Sequence, residues 1–282
     1  MKNILVTGAS GQLGQSLRQR CADFPGMKLH FYTREDFDLE QPGQMARVLN
    51  ELKPSIVINA AAYTAVDEAE NQPDRAFAIN TKGVTNLAQL CVVRDITLLH
   101  VSTDYVFNGQ SSEPYREDHD TAPLGIYGQS KQQGELAVAQ INPPHYIVRT
   151  SWLYGPYGNN FLKTMLRLAE QGKSLTITTE QTGSPTSTLD LADAILKLIE
   201  TEAPYGIYHF SNTGQTTWYG FAKEIFSQTH QLDQVQLAET AEYPTFAKRP
   251  NYSVLDTNKI TQTLQKPIRS WQDALAEVIH QL

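Results

Sequence analysis

The sequence predicts an α/β fold built on a doubly wound parallel sheet, with a smaller C-terminal α/β lobe. Two observations predict it. Short β-branched runs alternate with longer helical patterns through the first half of the chain, which is typical of consecutive β-α-β units. The second half is richer in Gly, Pro, Asn and Tyr and carries single helices, which indicates a separate lobe.

The elements of the first half follow from the hydrophobic pattern. Near-continuous apolar runs such as residues 55–59 suit strands that are covered on both faces. The pattern predicts strands over 2–7, 28–33, 55–59, 97–102 and 145–149, and helices over 12–21, 45–52, 73–80, 83–94 and from residue 127 onward. Parallel strands joined by helices in this order form a Rossmann-type sheet, which we assign to residues 1–150.

The second lobe is assigned to residues 151–282. Its predicted helices cover 161–171, 187–200 and 218–230, separated by loops rich in turn-forming residues. The helix within 187–203 is an exception to this assignment, because it could pack against the first domain instead. We expect the lobe to pack over the carboxyl ends of the strands, where open α/β sheets bind their ligands.

Composition and charge exclude several classes of partner. The net charge of −7 and the pI near 5.5 argue against a nucleic-acid or anionic membrane partner, because neither polyanion attracts an acidic surface. No run of about 18 apolar residues and no cleavable leader is visible. Cys21 and Cys91 have no metal-ligand spacing, so we expect reduced thiols. The simplest prediction is a soluble cytoplasmic protein.

A glycine-punctuated turn joins the first strand to the first helix. Gly8, Gly11 and Gly14 have the spacing G-x-x-G-x-x-G, which differs from the usual G-x-G-x-x-G. Residues without Cβ allow the backbone to approach a pyrophosphate, whose charge the amides at the helix start would meet. The turn therefore predicts a dinucleotide site. The alternative is a tight strand–helix turn that binds nothing.

The end of the second strand bears on which dinucleotide binds. NAD-specific folds place an acid about 20 residues after the glycine turn, and it would repel a 2′-phosphate. Here Thr33 and Arg34 stand in that region and could hold the phosphate, which favours NADPH over NADH. Glu35 is one residue away, so a slightly later strand end would favour NADH instead. Arg34 as a solvated surface charge is the other alternative.

Tyr127 and Lys131 lie four residues apart at the start of a predicted helix, so they share one face. A nearby ammonium, together with a cationic nicotinamide, would lower the pKa of the phenol from its ordinary value near 10. Tyr127 could then exchange a proton with a substrate, and Lys131 could also bind the nicotinamide ribose. An isolated surface pair is the alternative, because this spacing also arises by chance.

A strand ending in hydroxyl residues supports the pair. Thr103 precedes Tyr127 by 24 residues and stands at the predicted carboxyl end of a buried strand. Its hydroxyl could bind a substrate carbonyl oxygen and stabilise the developing negative charge. Ser102 is the competing candidate. His100, in the middle of the same strand, is interpreted as a core histidine.

These residues and several longer stretches resemble the extended short-chain dehydrogenase/reductase family. Within that family the chain is similar to reductases of 4-keto sugars carried by deoxythymidine diphosphate. The resemblance covers nearly the whole chain. The stretches that carry it are Asn59–Asp67, Ser102–Phe107, Tyr127–Lys131, Arg149–Tyr154, Asn159–Phe161, Thr164–Ala169, Gln181–Thr186 and Arg249-Pro250.

The resemblance implies an activity: hydride transfer from a nicotinamide to the C4 ketone of dTDP-4-dehydro-6-deoxy-L-mannose, with Tyr127 supplying the proton, giving dTDP-L-rhamnose for surface polysaccharide. It implies that Thr103 and Asp104 contact the sugar and that Trp152 provides a flat wall for it. It also implies a cofactor-lining set consisting of Gly11, Gln12, Leu13, Asp38, Leu39, Ala62, Tyr63, Thr64 and Val101. Separately, we predict on charge alone that Arg249 faces the diphosphate; a surface guanidinium is the alternative.

The chain departs from the family pattern in two places. Members often carry an acid where Thr33 and Arg34 stand, which strengthens the preference for NADPH. Some members form Mg²⁺-bridged homodimers through a glutamate after the glycine turn, but Gln15 is a poor ligand for Mg²⁺. We therefore predict no metal site, and a homodimer stays open. The alternatives are a non-catalytic regulatory subunit resembling that of methionine adenosyltransferase, and another nucleotide-sugar reductase, epimerase or dehydratase.

Overall fold

The structure is a computed structural model that describes all 282 residues. Strands form wherever β-branched residues alternate between the two faces of a sheet; in the first strand Ile4 and Val6 enter one core and Leu5 enters the other. The strands are β1 Lys2–Thr7, β2 Met27–Phe31, β3 Ile56–Asn59, β4 Thr97–Thr103, β5 His145–Thr150, β6 Leu153–Tyr154, β7 Leu175–Thr178, β8 Thr182–Gly183, β9 Thr186–Ser187, β10 Gly206–His209, β11 Thr216–Thr217 and β12 Leu237–Thr240.

The helices begin and end at recognisable signals. Pro42 occupies the first turn of the second helix and Ser187 caps the eighth through the amide of Leu189. The helices are α1 Gln12–Arg20, α2 Pro42–Leu52, α3 Val66–Asn71, α4 Pro73–Phe77, α5 Val84–Val92, α6 Ile126–Ile141, α7 Phe161–Glu170, α8 Thr188–Glu200, α9 Trp218–Gln228, α10 Asn258–Leu264 and α11 Trp271–Ile279. A π-helical turn, Ala78–Gly83, links α4 to α5.

A six-stranded parallel sheet organises the molecule. Its order is β10-β5-β4-β3-β1-β2, so the direction of winding reverses between β1 and β3. Helices α1 and α8 cover one face, and α2, α5 and α6 cover the other. This confirms the predicted α/β class with a doubly wound sheet. The crevice at such a reversal is where this kind of sheet binds ligands.

Elements from the second half contribute to the sheet as well. Strand β10 is its sixth strand, and α8 packs against α1 on one face. The remaining elements form small two-stranded sheets around a separate core in which Phe221, Phe226 and Trp271 are buried. The division of the chain at residue 150 stays a prediction. No helix is both long and apolar enough to cross a bilayer.

Candidate active site

A cavity of about 740 Å³ opens at the carboxyl ends of the parallel strands, beside the β1/β3 reversal. Loops that follow β1, β3, β4 and β5 supply one side of it, and residues of the second lobe supply the other. Of the predicted site residues, the structure brings these to its lining: Gly8, Gly11, Gln12, Leu13, Arg34, Asp38, Leu39, Ala62, Thr64, Val101, Thr103, Asp104, Tyr127, Lys131 and Trp152. Residues far apart in the chain therefore share one cavity.

The glycine turn has the geometry that its sequence requires. Gly8 has φ +66°, and a Cβ there would lie 2.8 Å from the carbonyl carbon of Ala60. A Cβ on Gly14 would overlap the carbonyl oxygen of Gly8. Gly11 begins α1 without any capping side chain, so the first amides of the helix have no side-chain partner. This start of α1, whose amides have no side-chain partner, faces the cavity.

The lining fits a bound dinucleotide. Amides at a helix start attract a diphosphate, and the side chain of Gln12 keeps a buried carbonyl oxygen without a hydrogen-bond partner. Deeper in the cavity, the hydroxyls of Ser102 and Thr150 are buried and also unpartnered. Unpaired polar atoms that line a cavity are available to a ligand with matching polar groups, such as a carboxamide or a ribose.

Arg34 lies at the edge of the cavity, in the turn that follows β2. The strand ends at Phe31, two residues before the predicted end. The Arg34 guanidinium donates to Glu40 at 2.7 Å and to Asp38 at 3.4 Å, and its side chain is 59% exposed. Both carboxylates hold the guanidinium at the cavity. Both would also compete with a phosphate for it.

Tyr127 and the end of β4 form the reactive end of the cavity. Burial raises the pKa of Tyr127 to about 12, the hydroxyl of Thr103 acts against this rise, and the charge of Asp104 adds to it. Burial also raises the pKa of Asp104 to about 7, opposed by the hydroxyls of Ser253 and Thr103. One oxygen of Asp104 accepts from Thr103 at 3.1 Å, and the other is buried with no donor within hydrogen-bond distance, although the hydroxyl of Ser253 is near enough to act on the carboxyl group.

The acidification of Tyr127 by Lys131 and a bound nicotinamide stays a prediction; in the protein alone, Lys131 is not among the groups that shift the pKa of Tyr127. The Lys131 amine points to the sheet, donating to the carbonyl of Val101 at 2.7 Å and contacting the ring of His100 at 3.2 Å. Burial lowers the pKa of Lys131 to about 8, partly offset by Glu135, so Lys131 loses its proton more readily than an exposed lysine, although the ammonium is still the main form at pH 7. Burial also favours the neutral phenol of Tyr127.

An aromatic wall faces this end of the cavity. Trp152 stacks on Trp218 with ring centroids 3.7 Å apart and planes 6° apart, and Phe161 packs against Trp218. Trp152 has φ +45°, which is unusual for a residue with a side chain. Trp152 was predicted as a site residue from the sequence, whereas Phe161 was noted only within a matching stretch. Trp218 was not predicted, because it comes from a remote helix and carries no local motif.

Four predicted site residues lie outside the lining. Gly14 lies beneath the turn against Gly8, and the hydroxyl of Thr33 donates to Asp36 at 3.1 Å. The ring of Tyr63 packs in a small core with Ala69 and Ala76, because its backbone is fixed by Asn80. The guanidinium of Arg249 pairs with Asp67 at 2.6 Å.

The neighbourhood of Gln15 offers no cluster of metal ligands. The Gln15 amide donates to the carbonyl of Ser10 at 2.9 Å. Nowhere in the chain do three His, Cys, Asp or Glu side chains come together as a group that could hold a metal ion. The two cysteines are not joined: Cys91 is buried and Cys21 is half-buried.

The Rossmann-type sheet, the glycine turn at its reversal and the Tyr127–Lys131 pair define a dinucleotide-binding protein of the short-chain dehydrogenase/reductase class. The family model described as RmlD substrate binding domain matches residues 1–282. The chain belongs to this family, which confirms the resemblance found in the sequence.

Relatives along the whole chain agree. A dTDP-4-dehydrorhamnose reductase of Aggregatibacter actinomycetemcomitans is 39% identical, covering 99% of this chain and 98% of the relative. A reductase of the same name from Streptomyces griseus is 42% identical, over 97% and 91% of the two chains. The crystal structure of the Bacillus anthracis dTDP-4-dehydrorhamnose reductase in complex with NADP is 38% identical with a TM-score of 0.94, covering 100% and 99%.

Proposed function

We propose that this chain is an NADPH-dependent reductase of the C4 ketone of dTDP-4-dehydro-6-deoxy-L-mannose, with dTDP-L-rhamnose as the product. The observation that carries the proposal is the meeting of the glycine turn, Thr103, Tyr127 and Lys131 in one cavity. The full-length relatives named dTDP-4-dehydrorhamnose reductase support the same substrate.

The cofactor occupies the glycine side of the cavity. A bound nicotinamide nucleotide supplies the hydride. The amides that begin α1 bind its diphosphate, and Asp38, Leu39 and Ala62 line its adenosine side. The unpartnered hydroxyls of Ser102 and Thr150 are suited to a polar group near the reactive end. The NADP bound to the Bacillus anthracis relative supports this cofactor class.

Tyr127 delivers the proton that completes the reduction. Burial favours the protonated phenol, which is the form that can donate a proton as the ketone is reduced. Thr103 lies beside it, and its hydroxyl can turn from Asp104 to donate to the substrate oxygen as negative charge develops there. Lys131 lines the same cavity, with its amine held by Val101 and His100, and is assigned to the ribose of the cofactor.

The sugar nucleotide occupies the aromatic side. The stacked rings of Trp152 and Trp218 provide a flat apolar surface for the hexose ring, and the free oxygen of Asp104 can accept from a sugar hydroxyl. On this proposal, residues 1–150 hold the cofactor and residues 151–282 contribute most of the sugar site. Arg249 is assigned no contact with the diphosphate, because it pairs with Asp67 outside the cavity lining.

Arg34 sets the preference for NADPH over NADH. It is the cationic side chain at the adenosine end of the cavity, and a 2′-phosphate can replace Glu40 or Asp38 as its partner. Glu35, the residue that would favour NADH, is not part of the cavity lining.

The proposal is tested by mixing the purified protein with NADPH and the 4-keto sugar nucleotide. Oxidation of NADPH with formation of dTDP-L-rhamnose, identified by NMR, is the expected result. Tight binding of both ligands without turnover would contradict the proposal and favour a regulatory subunit. Exchange of the sugar configuration without net oxidation of NADPH would favour an epimerase.

A further inference from the structure

A row of buried polar side chains crosses the sheet beneath the cavity. Thr7 of β1, Asn59 of β3 and His100 of β4 are fully buried and stand at registered positions of neighbouring parallel strands. They therefore point to the same face of the sheet. Lys131 of α6 meets the end of the row through His100.

Hydrogen bonds join the row without a gap. The hydroxyl of Thr7 donates to the side-chain oxygen of Asn59 at 2.7 Å, and the amide nitrogen of Asn59 lies 3.0 Å from Nδ1 of His100. Nε2 of His100 lies 3.2 Å from Nζ of Lys131. Such a network has one defined arrangement of protons only if each donor faces an acceptor.

The backbone fixes the orientation of Asn59. The amide of Ala61 can only donate, and it points to the side-chain oxygen of Asn59 at 3.3 Å and to the hydroxyl of Thr7 at 3.2 Å. The Asn59 oxygen must therefore face this side, and its NH₂ group must face His100. Nδ1 of His100 is then the acceptor, and the single proton of the neutral ring lies on Nε2, directed at Lys131.

This tautomer opposes an ammonium on Lys131. A ring N–H directed at Nζ is satisfied by a neutral amine, which can accept from it, and repelled by an ammonium, which has only donors. Burial lowers the pKa of His100 well below its ordinary value, so the ring stays neutral. Burial also lowers the pKa of Lys131 to about 8.

The other titratable groups near α6 are neutral, exposed or already paired with another group. Glu135 is the acid that acts on Lys131, and Arg149 of β5 binds it through three contacts of 2.8–3.2 Å. Asp104 acts on Tyr127. The thiol of Cys91 on α5 is neutral, since burial raises its pKa to about 12. The charged side chains on the other elements that contact α6 are exposed or occupied by another partner: Asp67, Glu68, Glu70, Asp74, Arg75 and Lys82.

We propose that His100 is a positioning residue whose tautomer, fixed by Asn59 and Thr7, sets the protonation state of Lys131 and so the pH range in which Tyr127 and Lys131 work together. This inference rests on the proposed reductase function for its catalytic consequence only. The link between the three side chains can be measured in the protein alone.

The test uses a variant in which the ring proton of His100 moves from Nε2 to Nδ1. In Asn59→Asp a carboxylate accepts from Nδ1–H of His100, which leaves Nε2 free to accept from an ammonium. We expect the titration of Lys131, followed by NMR of ¹³C-labelled lysine without ligands, to move upward by at least about one pH unit. Lys131→Gln assigns the signal, and circular dichroism verifies that each variant is folded.

A second variant separates the link through His100 from direct attraction by the new charge. Asn59→Asp combined with His100→Leu keeps the carboxylate and removes the ring. The proposal expects Lys131 in the double variant to titrate as in His100→Leu alone. A titration in the double variant well above that of His100→Leu, or an Asn59→Asp titration equal to that of the wild type, would overturn it.

If Asn59→Asp fails to fold, His100→Gln replaces it. The glutamine amide can turn its oxygen to the ammonium, so Lys131 should titrate higher by at least about half a pH unit; an unchanged titration would overturn the inference. In the turnover assay, kcat of His100→Gln should show a pH profile displaced in the same direction, with KM for NADPH changed less than about threefold. Absence of turnover in the wild type contradicts the proposed function, whereas the NMR result still decides the role of His100.

Discussion

The wall of the cavity that carries the glycine turn is made mainly of backbone, whereas the facing wall is made of aromatic side chains. On the first wall, Gly8, Gly11 and the start of α1 bring amides to the cavity, and any added Cβ meets neighbouring backbone. On the second wall, Trp152 and Trp218 stack at 3.7 Å. The cofactor side of the cavity is therefore specified by local backbone geometry, whereas the sugar side is specified by tertiary packing.

The largest expected effect lies where the two walls meet. Tyr127→Phe should lower kcat by at least about 10²-fold, because the proton donor is lost, with little change in NADPH binding. Steady-state kinetics and fluorescence titration of NADPH measure the two quantities. Tyr146→Phe is the control, since this phenol is buried and donates to Ala203 outside the cavity. Equal losses in both variants would remove Tyr127 from the mechanism.

The backbone wall is tested by adding one methyl group. Gly14→Ala places a Cβ against the carbonyl oxygen of Gly8 and should distort the turn. We expect NADPH binding weaker by at least about tenfold, from roughly 1–3 kcal/mol of overpacking. Gly43→Ala is the control, because nothing lies within 4 Å of its added Cβ. Unchanged binding in Gly14→Ala would mean that the turn does not hold the dinucleotide.

The adenosine end of the same wall is tested by Arg34→Ala. Loss of a charge-assisted contact should raise KM for NADPH by about tenfold while KM for NADH stays nearly constant. The control is Arg116→Ala, an exposed arginine that is paired with Asp118 away from the cavity. If both cofactors respond equally, Arg34 does not bind the 2′-phosphate.

The aromatic wall is tested by Trp218→Leu. Removal of the stack should raise KM for the sugar nucleotide by roughly three- to tenfold, in line with about 0.5–1.5 kcal/mol for an aromatic contact, and leave NADPH binding unchanged. Trp271→Phe, in the buried core of the same lobe, is the control. A change in cofactor affinity instead would mean that the two walls do not divide the ligands as proposed.

The smallest expected effect is a pH dependence on the sugar side. Because burial raises the pKa of Asp104 to about 7, the group is a carboxylate above that pH and a neutral acid below it. A carboxylate accepts from sugar hydroxyls more strongly, so KM for the sugar nucleotide should rise severalfold as pH falls from about 8 to 6. In Asp104→Asn this inflection should vanish. An identical profile in the variant would assign the inflection to another group.

The sequence was most informative where the information is local. The strand Lys2–Thr7 and the turn after it were predicted correctly, because apolar alternation and glycine spacing report backbone geometry directly. The edge strand Gly206–His209 was missed, since only four residues form it. Trp218 was missed because stacking on Trp152 joins remote segments. The helical spacing of Tyr127 and Lys131 was correct, yet it does not reveal that Nζ turns to Val101 and His100.

The central claim is that a dinucleotide on the glycine wall and a sugar nucleotide on the aromatic wall meet at Tyr127. A crystal structure with NADP⁺ and dTDP-L-rhamnose tests it most directly. We expect the Tyr127 hydroxyl within about 2.6–3.2 Å of the sugar O4, with the nicotinamide against C4 and the hexose on Trp152. A hexose bound away from the aromatic wall, or an O4 beyond the reach of Tyr127, would contradict the account.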